Sequence, residues 1–197
     1  MDEYEALLHS PYGELLEVAI RDLDRSVLYQ NPGFHGVDHI IRTMTLGTYV
    51  CRGESYSPRE TELVLLCCSY HDISRINDSY DELHGPRAAD RIAAGEIPAF
   101  SSVSKEELSA CCAAIATHSQ HDDTASANAA LYGVTDDSLF RKLMIGLKDA
   151  DNMDRVRIFD LDPRHLRSET AKNGVAFAEQ LLEKFPTPVK PWWTKKK

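Results

Sequence analysis

The sequence predicts an all-α fold, a single compact helical bundle-like domain. Apolar residues recur at helical spacing through most of the chain, several of these stretches open on helix-capping signatures, and strand signals are nearly absent. No stretch alternates apolar and polar residues with β-branched enrichment.

The elements follow in order. Ser10-Pro11 opens a helix whose apolar stripe is Leu15, Leu16, Ala19, Ile20, Leu23 and Val27, and Asn31-Pro32-Gly33 ends it. A second helix covers roughly 36–51 and is stopped by Gly53. Ser57-Pro58-Arg59-Glu60 is a capping box with proline at the first helical position, and it opens a strongly apolar helix through Leu63, Val64, Leu66, Cys67 and Tyr70. His84-Gly85-Pro86 starts the next, leading into Arg87-Ala88-Ala89. A second capping box, Ser104-Lys105-Glu106-Glu107, precedes Leu108, Cys111, Cys112 and Ile115. Further helices are expected over roughly 136–157 and 168–185. The helical domain therefore spans 1–185, and 186–197 reads as an extended Pro-rich tail. Within it, Trp192 and Trp193 either dock the tail on the body or, with Lys195-Lys196-Lys197, contact a membrane or partner.

The 197 residues suffice for one domain with a real core, and 43% apolar with 27% charged residues is ordinary for a globular chain. No apolar run reaches membrane-spanning length, and the acidic start Met1-Asp2-Glu3-Tyr4-Glu5 is unlike a secretory signal. A formal charge of −9 argues against stable nucleic-acid binding but leaves room for a small anionic substrate, because bound metal reverses the local field. The cysteines Cys51, Cys67, Cys68, Cys111 and Cys112 lack Cys-x-x-Cys spacing and read as small, buried, reduced residues of a cytoplasmic protein.

Chemistry concentrates around the histidines. His71-Asp72 closes the most apolar helix, where a polar pair is costly without a partner. His35 and His39 stand at i and i+4, so they share a helix face. His35 reads either as a satisfied helix-start residue or as a substrate contact. His84 lies at a helix start, and His118 follows Leu108, Cys111 and Ile115 at helical spacing. Asp149 and Asp151 are two apart and face different sides, so only one points into a site. His121, beside Asp122-Asp123, is expected near the site mouth. Arg75 either binds phosphate or pairs with Asp78, and Lys148 is either a phosphate contact or a solvated residue.

The order His…His-Asp…His…His…Asp, over roughly 34–154, resembles the HD superfamily of metal-dependent phosphohydrolases. His39-Ile-Ile-Arg42 resembles its first motif and His71-Asp72 its defining doublet. His84-Gly-Pro-Arg-Ala-Ala and Ile115-Ala-Thr-His118 resemble the motifs of members with extra ligands, and Asp149-Ala150-Asp151 resembles the last motif. The resemblance implies metal ligands His39, His71, Asp72, His84, His118 and Asp151, with Asp151 favoured over Asp149, and a catalytic set of Asp72, His84, His118 and Arg75. These donors suit Fe, Mn, Zn, Co or Ni. The set suffices for two ions bridged by Asp72; the other reading is one ion, with His84 and His118 hydrogen-bonding a substrate phosphate.

The implied reaction is hydrolysis of a phosphoester or phosphoanhydride, of a nucleotide or other small phosphorylated metabolite, by a metal-activated water, with His84, His118 or Asp149 moving protons. Positions 73–77 lack the acidic residue that some HD nucleotidases and the hydrolases of the stringent-response nucleotide carry after the doublet. The ligand pattern is closer to that of the diiron diadenosine-tetraphosphate hydrolases. It is more distantly similar to that of the HD-GYP phosphodiesterases, whose Gly-Tyr-Pro motif is missing here. A branch resembling inositol oxygenase holds two irons with the same set, and a non-catalytic regulatory module is the third reading.

Overall fold

The computed structural model describes residues 2–30 and 33–187, and among these there are helices, turns and no strands. The helices are α1 (Glu3–Leu8), α2 (Pro11–Arg21), α3 (Val37–Gly53), α4 (Pro58–Tyr70), α5 (His84–Ala93), α6 (Lys105–His118), α7 (Ala125–Leu131), α8 (Asp137–Met153), α9 (Glu169–Asn173) and α10 (Val175–Lys184). None is long and apolar enough to cross a membrane. The expectations for Trp192 and Trp193 lie outside the described residues.

Both capping boxes form. Ser57 accepts from the Glu60 amide and Ser104 from the Glu107 amide, and each glutamate returns to the cap backbone, which satisfies amides that α4 and α6 would otherwise leave unpaired. A third box, Asp2 with Glu5, starts α1, an element the apolar periodicity does not announce.

Three expected helices are shorter than their patterns. The one opening at Ser10 stops at Arg21, because Asp24 accepts from the amide and hydroxyl of Ser26 and holds a short 3₁₀ turn at Arg25–Val27 instead. The one near 136–157 ends at Met153 and tightens into a 3₁₀ turn over Asp154–Ile158. The one near 168–185 is two helices meeting at Gly174, where a Cβ would stand 2.7 Å from the Tyr49 ring and 2.8 Å from the Met153 methyl.

The core is built by α3, α4, α6 and α8, with α3 against both α4 and α8, α6 against α8, and α5 laid on α6. Val50, Leu63, Val64, Cys67, Cys111, Ile115, Leu143 and Leu147 are fully buried between them. All five cysteines are buried and none is disulfide-bonded. Burial pushes the Cys51 thiol up to about 12, the state of an inert thiol.

This packing brings helix ends together. His39 lies in the first turn of α3, His71 is the cap of α4, His84 begins α5, His118 ends α6 and Asp151 sits in the last turn of α8. Three of these are C-termini, of α4, α6 and α8, and two are N-termini, of α3 and α5, so helix ends of both signs meet there and the side chains decide what the place can bind.

Candidate metal centre

The doublet lies at the middle of that place, and Asp72 divides it into two halves. His39 Nε2 and His71 Nε2 are 3.5 and 3.6 Å from Asp72 Oδ2, and Asp151 Oδ1 is 3.4 Å from His39 Nε2. On the other side, His84 Nε2 and His118 Nε2 are 3.0 and 3.8 Å from Asp72 Oδ1. The halves touch, with the His71 and His118 rings 4.9 Å apart. Among the described residues, three overlapping groups are suited to hold an ion: His39, His71 and Asp151; His71, Asp72 and His118; and His35, His39 and Asp72.

The outer nitrogen of every one of these imidazoles is already engaged. His39 Nδ1 donates to Asp154 Oδ2 at 2.7 Å, His71 Nδ1 to the Cys68 carbonyl at 2.8 Å and His118 Nδ1 to the Ile115 carbonyl at 2.6 Å, while His84 Nδ1 donates to the Asp81 carbonyl. Acceptors at each Nδ1 assign the proton there, so each Nε2 presents a lone pair inward. His39 and His71 then meet Nε2 to Nε2 at 3.3 Å, and His84 and His118 at 2.9 Å. Facing lone pairs repel and call for a cation between them. The separations fit one: ligands about 2.1 Å from a shared ion stand about 3 Å apart when adjacent and about 4 Å apart when opposite.

Electrostatics keep the donors ready to bind. Burial holds the His71 imidazole down to about 3 and also lowers His118, so both are neutral near pH 7. Burial alone would raise the Asp72 carboxyl, but the surrounding imidazoles, His71 first, and the hydrogen bond that His35 Nδ1 donates hold it well below the usual range. Asp151 is lowered against burial by His39, His71 and Arg157.

Behind the first half stands Asp154, fully buried. It takes Arg42 Nε at 2.6 Å and Nη2 at 3.0 Å, and Arg157 Nη1 lies 3.3 Å away. Its charge is held against burial by Arg157, His39 and Arg42, so an ionised carboxylate fixes the His39 ring. The motif reading passed over Asp154. The signal was its place three residues after Asp151, matching Arg42 three residues after His39.

Other sequence-stated candidates fall elsewhere. Asp149, offered as a proton mover, is turned away: it accepts from the Arg167 amide at 2.9 Å and from the Ser168 amide and hydroxyl at 2.7 Å each, tying down the segment before α9. Lys148 is not solvated, and its ammonium is engaged within the chain. It is buried, donates to the Thr117 and Gln120 carbonyls at 3.0 and 2.7 Å, and pairs with Asp122. His35 donates from Nδ1 to Asp72 Oδ2 at 2.8 Å, so it orients the doublet. Arg75 reaches Asp72 Oδ1 at 3.3 Å and the Ser79 carbonyl at 3.0 Å, rather than Asp78. His121 is exposed and pairs with Asp123, at a shallow cleft that it shares with His118.

Gly85 permits the second half. A Cβ there would stand 2.6 Å from the Ile115 carbonyl and 2.9 Å from His118 Nδ1, so only glycine lets α5 approach α6 closely enough for His84 to meet His118.

The centre opens into a cavity of about 610 Å³ lined by Phe34, His35, Arg75, Tyr80, Arg155 and Arg157 among others, together with His84, His118 and Asp151 of the cluster. A buried cluster of histidines and aspartates able to bind metal, compatible with an HD-type site, is thus open to a small molecule. No protein-family model, curated protein or solved structure matches the chain.

Proposed function

We propose that the chain is a metal-dependent phosphohydrolase of the HD superfamily, in which His39, His71, Asp72, His84, His118 and Asp151 would hold two divalent ions, with Asp72 shared between them. The single observation that carries this reading is the division of donors about Asp72. One carboxylate oxygen faces His39 and His71, the other faces His84 and His118, and every imidazole is locked with its lone pair inward. The alternative in which His84 and His118 donate to a phosphate over one ion is disfavoured, because their Nδ1 atoms already hold the protons.

Bound divalent ions supply Lewis acidity, lowering the pKa of water and neutralising charge on phosphoryl oxygens. The chain's own residues do the positioning. Asp72, held by His35, lies between the two halves, and His39, oriented by Asp154, keeps its lone pair toward the site. Arg75 reaches the cavity wall beside Asp72 and is placed to take a phosphoryl oxygen. Asp149 has no part in proton movement, because its oxygens are engaged with 167–168.

Metal analysis of protein purified without chelator, followed by phosphate release from a panel of nucleotides and sugar phosphates, tests the reading. Two ions per chain and release that stops with chelator are expected. One ion removes the bridged centre. Two irons with oxygen consumption and no phosphate release would shift the assignment to the oxygenase branch, and metal loading without either activity would leave a regulatory module.

A further inference from the structure

The cavity wall contains a buried cation whose hydrogen-bond donors are not all met. Asp154 faces two guanidinium groups, and Asp151 is the second carboxylate that feels the charge of Arg157. Every guanidinium nitrogen of Arg42 has a partner: it donates to both Asp154 oxygens, to the Phe185 carbonyl at 2.8 Å and to Thr187 Oγ1 at 3.2 Å. Arg157 is not. Its Nε donates to the Phe34 carbonyl at 3.0 Å, but Nη1, buried, has no hydrogen-bond partner and only the 3.3 Å ion pair with Asp154. Its side chain is 3% exposed and contributes to the lining of the cavity that His84, His118 and Asp151 also line. A buried guanidinium with an unmet donor, beside a carboxylate already shared, asks for an anion.

Resting on the phosphohydrolase reading, we propose that Arg157 is a substrate-binding residue that, together with Arg75, forms a two-arginine subsite for the dianionic phosphate of a monoester. Arg75 approaches from the Oδ1 side of Asp72, and Arg157 from behind His39, so the two flank different halves of the centre. A monoester phosphate has three terminal oxygens and two negative charges to share between the arginines and the centre. A diester has one charge and carries a second substituent where an oxygen would meet a guanidinium. Asp78 and Asp81 line the same cavity, Asp81 paired with Arg87, and Arg155 stands with them, so the lining beyond the two arginines carries both signs. The substrate class is therefore a phosphomonoester.

The test is calorimetric titration of manganese-loaded protein with inorganic phosphate, in wild type, Arg157→Gln and Arg157→Lys, with metal content and thermal melting recorded for each. Arg157→Gln is expected to keep its metal and bind phosphate about 10- to 100-fold more weakly, with partial recovery in Arg157→Lys. The kcat/KM ratio for p-nitrophenyl phosphate over bis(p-nitrophenyl) phosphate should fall about tenfold or more in Arg157→Gln. Unchanged phosphate affinity in the folded, metallated variant overturns the inference, as does a wild-type preference for the diester. If Arg157→Gln fails to fold, Arg157→Lys decides, since it keeps the charge beside Asp154 but loses the fork: undiminished phosphate binding refutes the subsite. Arg157-dependent phosphate binding in a protein that hydrolyses neither ester supports the subsite and removes the hydrolase reading.

Discussion

The two halves of the centre are supported differently. Behind His39 lies an ionised, buried carboxylate locked by Arg42 and flanked by Arg157, so the ring is fixed by a charged network reaching from α3 to the turn after α8. Behind His84 and His118 there are only backbone carbonyls, those of Asp81 and Ile115. A carboxylate partner raises the basicity of the imidazole more than a neutral carbonyl does. With two ions bound as proposed, the His39 half is expected to hold its ion more tightly than the His84 half. His71, backed by the Cys68 carbonyl, stands between them.

The largest expected effect comes from the residue common to both halves. Asp72→Ala should abolish metal binding in both and lower phosphate release by at least about a thousandfold. Metal analysis that still finds two ions would break the bridged arrangement. Asp154→Asn strikes one half only. It should weaken the tighter ion by roughly 10- to 100-fold, and destabilise the fold by about 3–5 kcal/mol because Arg42 and Arg157 lose their buried counter-charge. Chelator titration that shows equal loosening of both ions would erase the distinction between the halves.

Asp149→Ala is the internal contrast, a buried carboxylate of the same helix outside the centre. It should leave metal content intact while costing about 2–3 kcal/mol in denaturant unfolding, since Ser168 and the Arg167 amide lose their acceptor. Loss of metal in that variant would move the ligand from Asp151 to Asp149.

The smallest effect is on the metal-free protein. His71, lowered from 6.5 to about 3 by burial, binds its proton more weakly folded than unfolded. Its contribution is complete above pH 6.5 and is lost progressively as pH falls toward 3. At pH 5 this amounts to roughly 2 kcal/mol, and His118 acts in the same direction. A melting temperature flat between pH 7 and 5 would show that His71 takes up its proton in the folded state.

Much of the fold was legible because its signals are local. Ser57 with Glu60 and Ser104 with Glu107 specify their helix starts through contacts within four residues. What was misread depended on competition between local choices: Asp24 capturing Ser26 ended a helix whose apolar stripe continued past it. At the centre, the motif order pointed to His39, His71, Asp72, His84, His118 and Asp151, and packing brings these six side chains together. The supporting residues were not legible in the same way. Asp154, Arg157 and His35 matter through partners 115, 123 and 37 residues away, separations at which no periodicity operates.

The amino-acid sequence by itself determined the helical class, the helix starts and the residue types available to bind a cation, because propensity, capping and donor chemistry are properties of short segments. Only the tertiary structure decided which nitrogen of each imidazole faces inward, what holds Asp149 away from the centre and which arginine is left with an unmet donor. Those outcomes depend on what the packed helices bring within about 3 Å of each group, where hydrogen-bond geometry is decided.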